Sequence, residues 1–169
     1  MGKMIRWYVF QVDRLSTWTG WLAMYLIFVL VGVLLLDAVT RNLVHIPLHW
    51  CVEFAQFTLV AYYFVGAPYS LKNDGHVRMD LLYSHLSDRN KARLDVFTDC
   101  CLMFFLVVLL IGAISSTRYA IETNQHNFSM WNPSMIPIKV VMVLAIGLMI
   151  LQALSVFFKD LALARGEQL

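Results

Sequence analysis

Four long apolar stretches, residues 18–40, 48–71, 94–119 and 138–158, take up most of this chain of 169 residues. At about 1.5 Å per helical residue, each is long enough to cross a hydrocarbon core of about 30 Å. The pattern predicts an all-α integral membrane protein with four transmembrane helices in one membrane domain. Hydrophobic residues make up 60% of the chain, which leaves little mass outside the membrane for a separate catalytic domain. Whatever the chain does is done within the bilayer or with partners.

Charge placement orients the helices. Ten of the thirteen lysines and arginines lie before the first stretch, between the second and third, or after the fourth; Arg41, Arg118 and Lys139 are the remaining three. By the positive-inside rule both termini and the middle connection face the cytoplasm, and the 41–47 and 120–136 connections face outward. The basic residues mark segment ends, with no stripe or motif that reads nucleic acid. Residues 3–15 carry Ile5, Tyr8, Val9, Val12 and Leu15 on one face, which reads either as an interfacial amphipathic helix or as the ragged start of helix 1. A cleaved signal peptide is disfavoured, because the apolar run is too long and lacks a small-residue cleavage site. Trp7, Trp18 and Trp21, with Trp50 and Trp131, suit headgroup-level anchoring.

The middle connection is read as structured. Asn73-Asp74-Gly75 breaks helix 2, and Asp80 is placed to cap a short surface helix over 80–86 that carries Leu81, Leu82 and Leu86. Gly66-Ala67-Pro68 predicts a kink late in helix 2, and Gly20, Gly32, Gly112 and Gly147 permit close helix contacts. Cys51, Cys100 and Cys101 form no CxxC pair, and the last two read as buried reduced thiols.

Ionisable residues inside membrane helices are the first places to look for function. Here they gather at the two faces. On the outer side Asp37 and Arg41 are four residues apart, as are Arg118 and Glu122, while Glu53 and Lys139 stand near the same depth. Three acids balanced by three bases predict a mutually neutralised polar layer or contacts to another subunit. On the inner side Asp95 and Asp99 have Lys72, Lys91 and Arg93 as nearby partners. A four-helix cytochrome needs histidines at haem depth; His45, His49, His76, His85 and His126 all lie at ends or in connections. No catalytic or metal-binding motif is present, and no cofactor is expected.

Taken in order, several short motifs resemble the small membrane subunit (DctQ-type) of tripartite ATP-independent periplasmic, or TRAP, transporters. They are Arg41 after helix 1, Trp50-Cys51-Val52-Glu53 opening helix 2, and Gly66 late in that helix. Gly75-His76-Val77-Arg78-Met79-Asp80, Trp131-Asn132-Pro133 and Leu151-Gln152 in helix 4 complete the set. Family members often carry a second acid beside the helix 2 glutamate, where this chain has Val52. The resemblance implies a non-catalytic subunit of the bacterial inner membrane. It would pack against a large permease subunit (M-type) that holds the sodium and substrate sites, with a periplasmic binding protein delivering an organic acid. It also singles out Glu53, Arg41, His76, Arg78 and Asp80 as interface residues to test. Two other readings stay open at this point: a self-sufficient proton-coupled transporter using Glu53 or Asp37, and a membrane redox protein.

Overall fold

A computed structural model describes residues 3–45, 48–73 and 88–165. They form four helices: α1 (Lys3–Val39), which continues into a π-helical turn (Thr40–Val44), α2 (His49–Lys72), α3 (Asp88–Glu122) and α4 (Ile136–Arg165). Helix is the form these sequences require, because an amide in hydrocarbon finds no water and must pair along its own segment. Three segments, Met4–Leu43, Val96–Glu122 and Ile136–Ala162, are long and apolar enough to cross a membrane. The 24 residues of α2 give it about 36 Å, but Glu53, Gln56, Thr58 and three tyrosines make it less apolar than the others. The expectation of four crossings therefore has three strongly apolar helices behind it, and a fourth helix of mixed character.

Residues 3–15 are not a separate interfacial helix. They are the first turns of α1, which runs unbroken from Lys3. No proline or glycine interrupts residues 3–19, and Asp13 and Ser16 are tied to α4, so α1 must follow α4 from its start. The buried stripe of α1 is Val12, Ser16, Thr19, Ala23, Leu30 and Asp37, spaced by threes, fours and sevens as one helical face demands. Of the middle connection, Asp74 through Ser87 lie outside the described residues, and with them the 80–86 surface helix, His76, His85, Arg78 and Asp80.

α4 is the hub. It packs on α1, α2 and α3, whereas α3 packs mainly on α4. Small residues on several sides of α4 suit this position, since Ala145, Ala153, Ser155 and Ala162 are all buried and let neighbouring backbones come close. Around them a core of Leu71, Leu106, Ala153 and Val156 is edged by Leu102, Met103, Met149 and Ile150. α3, with one main neighbour, leaves much of its surface uncovered, and so Cys100 and Cys101 are exposed; of the three free cysteines only Cys51 is buried. The expectation that all of helix 3's thiols are buried is corrected by that topology.

The antiparallel α1–α2 pair turns through His45, whose φ of 57° ends the π-helical turn. Along the pair Gly20 meets the ring of Tyr69. A Cβ at Gly20 would lie 2.5 Å from Tyr69 Cγ and 2.9 Å from its Cβ, atoms too near the backbone to swing away. Gly32, Gly112 and Gly147 have open space instead, so only one of these four glycines is needed for close approach. Pro68 is buried within α2, which continues through it to Lys72.

The α3–α4 connection is folded onto itself. Asn124, at φ 45°, ends α3 in a Schellman arrangement, in which Gln125 N–H donates to Ala120 C=O (2.9 Å) and Asn124 N–H to Ile121 C=O (3.3 Å). Asn127 N–H to Pro133 C=O and Met135 N–H to Gln125 C=O, both 3.0 Å, close the loop.

Adding a methyl at Gly20 forces α1 and α2 apart. Gly20→Ala is expected to destabilise the protein by about 1–3 kcal/mol, the usual cost of overpacking. Gly112→Ala, in open space, should hold or gain up to about 1 kcal/mol from helix propensity. Thermal unfolding in detergent, followed by tryptophan fluorescence, compares the two; equal melting would contradict the close approach.

Candidate functional site

Two polar layers stand at opposite ends of the bundle. The proximal layer is built where α1 begins and α2 and α4 end; the distal layer is built where α1 and α3 end and α2 and α4 begin.

At the proximal end the carboxylate of Asp13 is the meeting point. Its Oδ1 accepts from Gln152 Nε2 (2.9 Å) and Ser155 Oγ (3.4 Å), and its Oδ2 accepts from Lys159 Nζ (2.7 Å). Gln152, Ser155 and Lys159 fall three and four residues apart, so they share one stripe of α4. Ser16, one turn along α1 from Asp13, donates to Gln152 Oε1 at 2.6 Å, so the Gln152 amide is held from both ends. Gln152 and Ser155 have no exposed surface and Ser16 almost none. α2 joins through Lys72, whose Nζ donates to the Asp13 backbone carbonyl (3.1 Å) and to Thr17 Oγ1 (2.6 Å). Tyr8 adds a hydroxyl bond to the Leu151 carbonyl (3.0 Å) and an edge-on ring contact with Phe158. One acid, two lysines, an amide and hydroxyls thus fasten three helices together.

This layer was not singled out in the sequence. Asp13 reads there as part of the polar side of an amphipathic start, and Lys72 and Lys159 read as orienting charges. The available signal was the spacing of Gln152, Ser155 and Lys159, a polar stripe that follows the wholly apolar run 140–151. Lys72, read as a nearby partner for Asp95 or Asp99, bonds to α1 through the Asp13 carbonyl and the Thr17 hydroxyl.

At the distal end the two pairs with four-residue spacing are present. Arg41 Nη2 lies 3.1 Å from Asp37 Oδ2, and Arg118 Nε lies 2.8 Å from Glu122 Oε1. Lys139 does not complete the balance. Its Nζ donates to Gln125 Oε1 (2.8 Å) and to the Ser116 carbonyl (3.3 Å), holding the folded connection down on the end of α3. Asp37 and Glu53 are both more than nine-tenths buried, and Asp37 Oδ1 and Glu53 Oε2 have no hydrogen-bond partner among the described residues. Asp37 lies within electrostatic reach of Cys51 on α2. Instead of three neutral pairs, the layer has two ion pairs, a lysine clamp and a buried glutamate. The cause is position: Lys139 sits in the first turns of α4 beside the end of α3, where Gln125 is in reach.

The tryptophans stand apart from both networks. Trp7, Trp18 and Trp21 are exposed toward the proximal end, Trp50 and Trp131 toward the distal end.

Cutting the proximal layer at its most buried member has a definite cost. Gln152→Leu leaves Asp13 short of a donor and the Ser16 hydroxyl without its acceptor, and is expected to destabilise by about 1–3 kcal/mol. Asp13→Asn and Lys159→Met should be coupled by about 0.5–3 kcal/mol in a double-mutant cycle. Arg118→Ala breaks a far more exposed pair and should cost about 0–1 kcal/mol. Denaturation in mild detergent measures all three, and additivity of the Asp13 and Lys159 changes would show that the tie is not formed.

Both layers use their polar groups to hold helices and connections to one another. The family model for the DctQ component of tripartite ATP-independent periplasmic transporters matches residues 30–163, from the last third of α1 nearly to the end of α4. No curated relative matches the chain. The matched region contains Asp37, Arg41, Glu53, Lys72, Gln152 and Lys159, hence the distal layer and the α2 and α4 sides of the proximal one. With most of its length covered, and with apolar helices fastened by polar ties, this chain belongs to the DctQ family, the small membrane components of TRAP transporters.

Proposed function

We propose that this chain is the non-catalytic scaffold subunit of a binding-protein-dependent, sodium-coupled importer of an organic acid. In this reading it lies in a bacterial inner membrane as one domain with four crossings, its termini and middle connection in the cytoplasm. The ten-to-three division of basic residues supports that orientation, and the exposed tryptophans at both ends supply two headgroup belts that hold depth and tilt. Substrate and sodium sites belong to the large permease subunit, and a periplasmic protein delivers the substrate.

The observation that carries the proposal is the Asp13 layer. A transporter that moves a solute through its own bundle needs polar groups facing a path and helices able to separate. Here the half-buried acid, the buried amide and hydroxyls of α1 and α4, and the lysine of α2 face one another, which ties the three helices into one body. A mobile permease needs a fixed reference in the bilayer, and a rigid body of this kind enlarges it.

Glu53 favours one competitor. A buried carboxylate with an unpaired oxygen is the feature a proton-coupled transporter of this size would use. Proteoliposomes separate the readings: the chain alone is expected to give no uptake, and uptake is expected only with the large subunit and binding protein. Glu53→Gln should leave the ion coupling of the complete system unchanged, and any loss should follow from weaker assembly. Uptake by the chain alone, abolished by Glu53→Gln, would overturn the scaffold reading. For the middle connection, His76→Ala and Arg78→Ala are expected to lower the yield of the complex with the large subunit; unchanged yield would remove that segment from the interface.

A further inference from the structure

α2 carries a line of polar side chains on its outside. Gln56, Tyr63 and Ser70 recur at seven-residue intervals, and seven residues bring an α-helix back to within about 20° of its starting direction. All three are exposed, and Tyr63 keeps 64% of its surface. No side-chain hydrogen bond is made by any of them among the described residues. Gln56 lies about 10 Å and Tyr63 about 21 Å along the helix from His49, so in a spanning α2 both sit within hydrocarbon depth. Lipid tails offer an amide or hydroxyl nothing to bond with, and tyrosine hydroxyls otherwise favour the headgroup level.

The exposed middles of the neighbouring helices are different. On α3 they are mainly Phe104, Phe105, Val108, Ile111 and Ile114, and on α1 Phe28, Val31, Leu34 and Leu35, all compatible with lipid tails; Tyr25 on α1 is exposed as well, but it stands alone and is not part of a polar line. Beside the polar line a groove of about 560 Å³ runs between α1 and α2, bordered by Gly20, Ala23, Gly66, Tyr63 and Ser70. A groove between helices receives the side-chain ridge of another helix, and in membranes such contacts are made by close packing together with hydrogen bonds across helices.

We infer that this face of α2 is the docking surface for a transmembrane helix of the large permease subunit, one that presents hydrogen-bonding side chains to Gln56, Tyr63 and Ser70 and a ridge to the adjoining groove. The inference rests on the scaffold reading and adds to it which face is gripped. It also accounts for the mixed composition of α2, because a helix with one side covered by protein need not be apolar all round.

The test uses the full chain co-expressed with its large subunit. A photo-crosslinking phenylalanine analogue is placed at Gln56 or Tyr63, or at Phe104 or Ile111 on α3, and adducts formed in native membranes are identified by mass spectrometry. Positions 56 and 63 are expected to capture the large subunit several-fold more than positions 104 and 111. Gln56→Leu combined with Tyr63→Phe is expected to lower the yield of the complex several-fold and leave the melting of the isolated chain unchanged. Stronger capture from α3, or capture at 56 and 63 of lipid or a second copy of this chain, would overturn the assignment. The scaffold reading is checked separately by co-purification of the unmodified chain: a complex that forms without adducts at 56 and 63 removes the face and keeps the scaffold, whereas failure to co-purify removes the scaffold itself.

Discussion

The carboxylate of Asp13 controls how α1, α2 and α4 can sit together. Between helices in lipid the hydrophobic drive is absent, since a leucine loses nothing by facing an acyl chain. Association must then come from close packing and from polar groups with no better partner. A carboxylate withdrawn from water is tolerated only when its charge is paired and its lone pairs are filled. Asp13 meets that condition only where α4 brings Gln152, Ser155 and Lys159 to it. Sliding α4 by one turn or rotating it by one residue breaks these bonds together, so a single acid sets both register and rotation. Lys72 then fixes the end of α2 to the same turn of α1. The α3 helix, which packs mainly on α4, inherits its place from them.

The two ends of the bundle differ in how fully their polar groups are satisfied. At the proximal end both carboxylate oxygens of Asp13 are engaged and the deepest member, Gln152, is bonded from both sides. At the distal end Asp37 has one oxygen paired and one without a partner, and the Oε2 of buried Glu53 has none among the described residues. A buried polar atom left unpaired costs about 1–3 kcal/mol, more when charged. The rigidity of the bundle is therefore concentrated where α1, α2 and α4 are laced together. The distal end is held by shorter-range devices: an ion pair within one helix, the Asn124 cap and the Lys139 clamp on its own connection.

What could be read from the residues follows the range of the interactions. Apolar length and the four-residue pairs Asp37–Arg41 and Arg118–Glu122 are local, and local chemistry decides them. The Asp13 layer spans more than 135 residues of sequence, and no local rule joins an acid near the N-terminus to an amide and a lysine near the other end. Lys139 shows the same limit in reverse. Its depth placed it in one layer with three acids, but depth does not say which neighbouring groups a side chain meets, and it bonds to Gln125 and the Ser116 carbonyl. Gly20 could not be told from Gly32 or Gly112 by sequence, because the distinction lies in Tyr69 on another helix. Residues 3–15 stay open in the sequence between a separate interfacial element and the start of helix 1, because their apolar face suits a membrane surface as well as it suits α4.

α2 joins these points. Its inward side supplies Lys72 to the proximal layer and Cys51 and Glu53 to the distal one, so the bundle's interior accounts for part of its polarity. Gln56, Tyr63 and Ser70 are not explained that way, since they point out of the bundle and α1 and α4 are already packed on other sides of the helix. A spanning helix can present a line of polar groups outward only if something other than lipid covers it. The feature that lowers α2's apolarity is then the same feature that makes it useful to a subunit: a rigid body fastened by Asp13 on the inside can offer fixed, unsatisfied hydrogen-bonding groups on the outside, where a partner helix with matching groups gains more than lipid does.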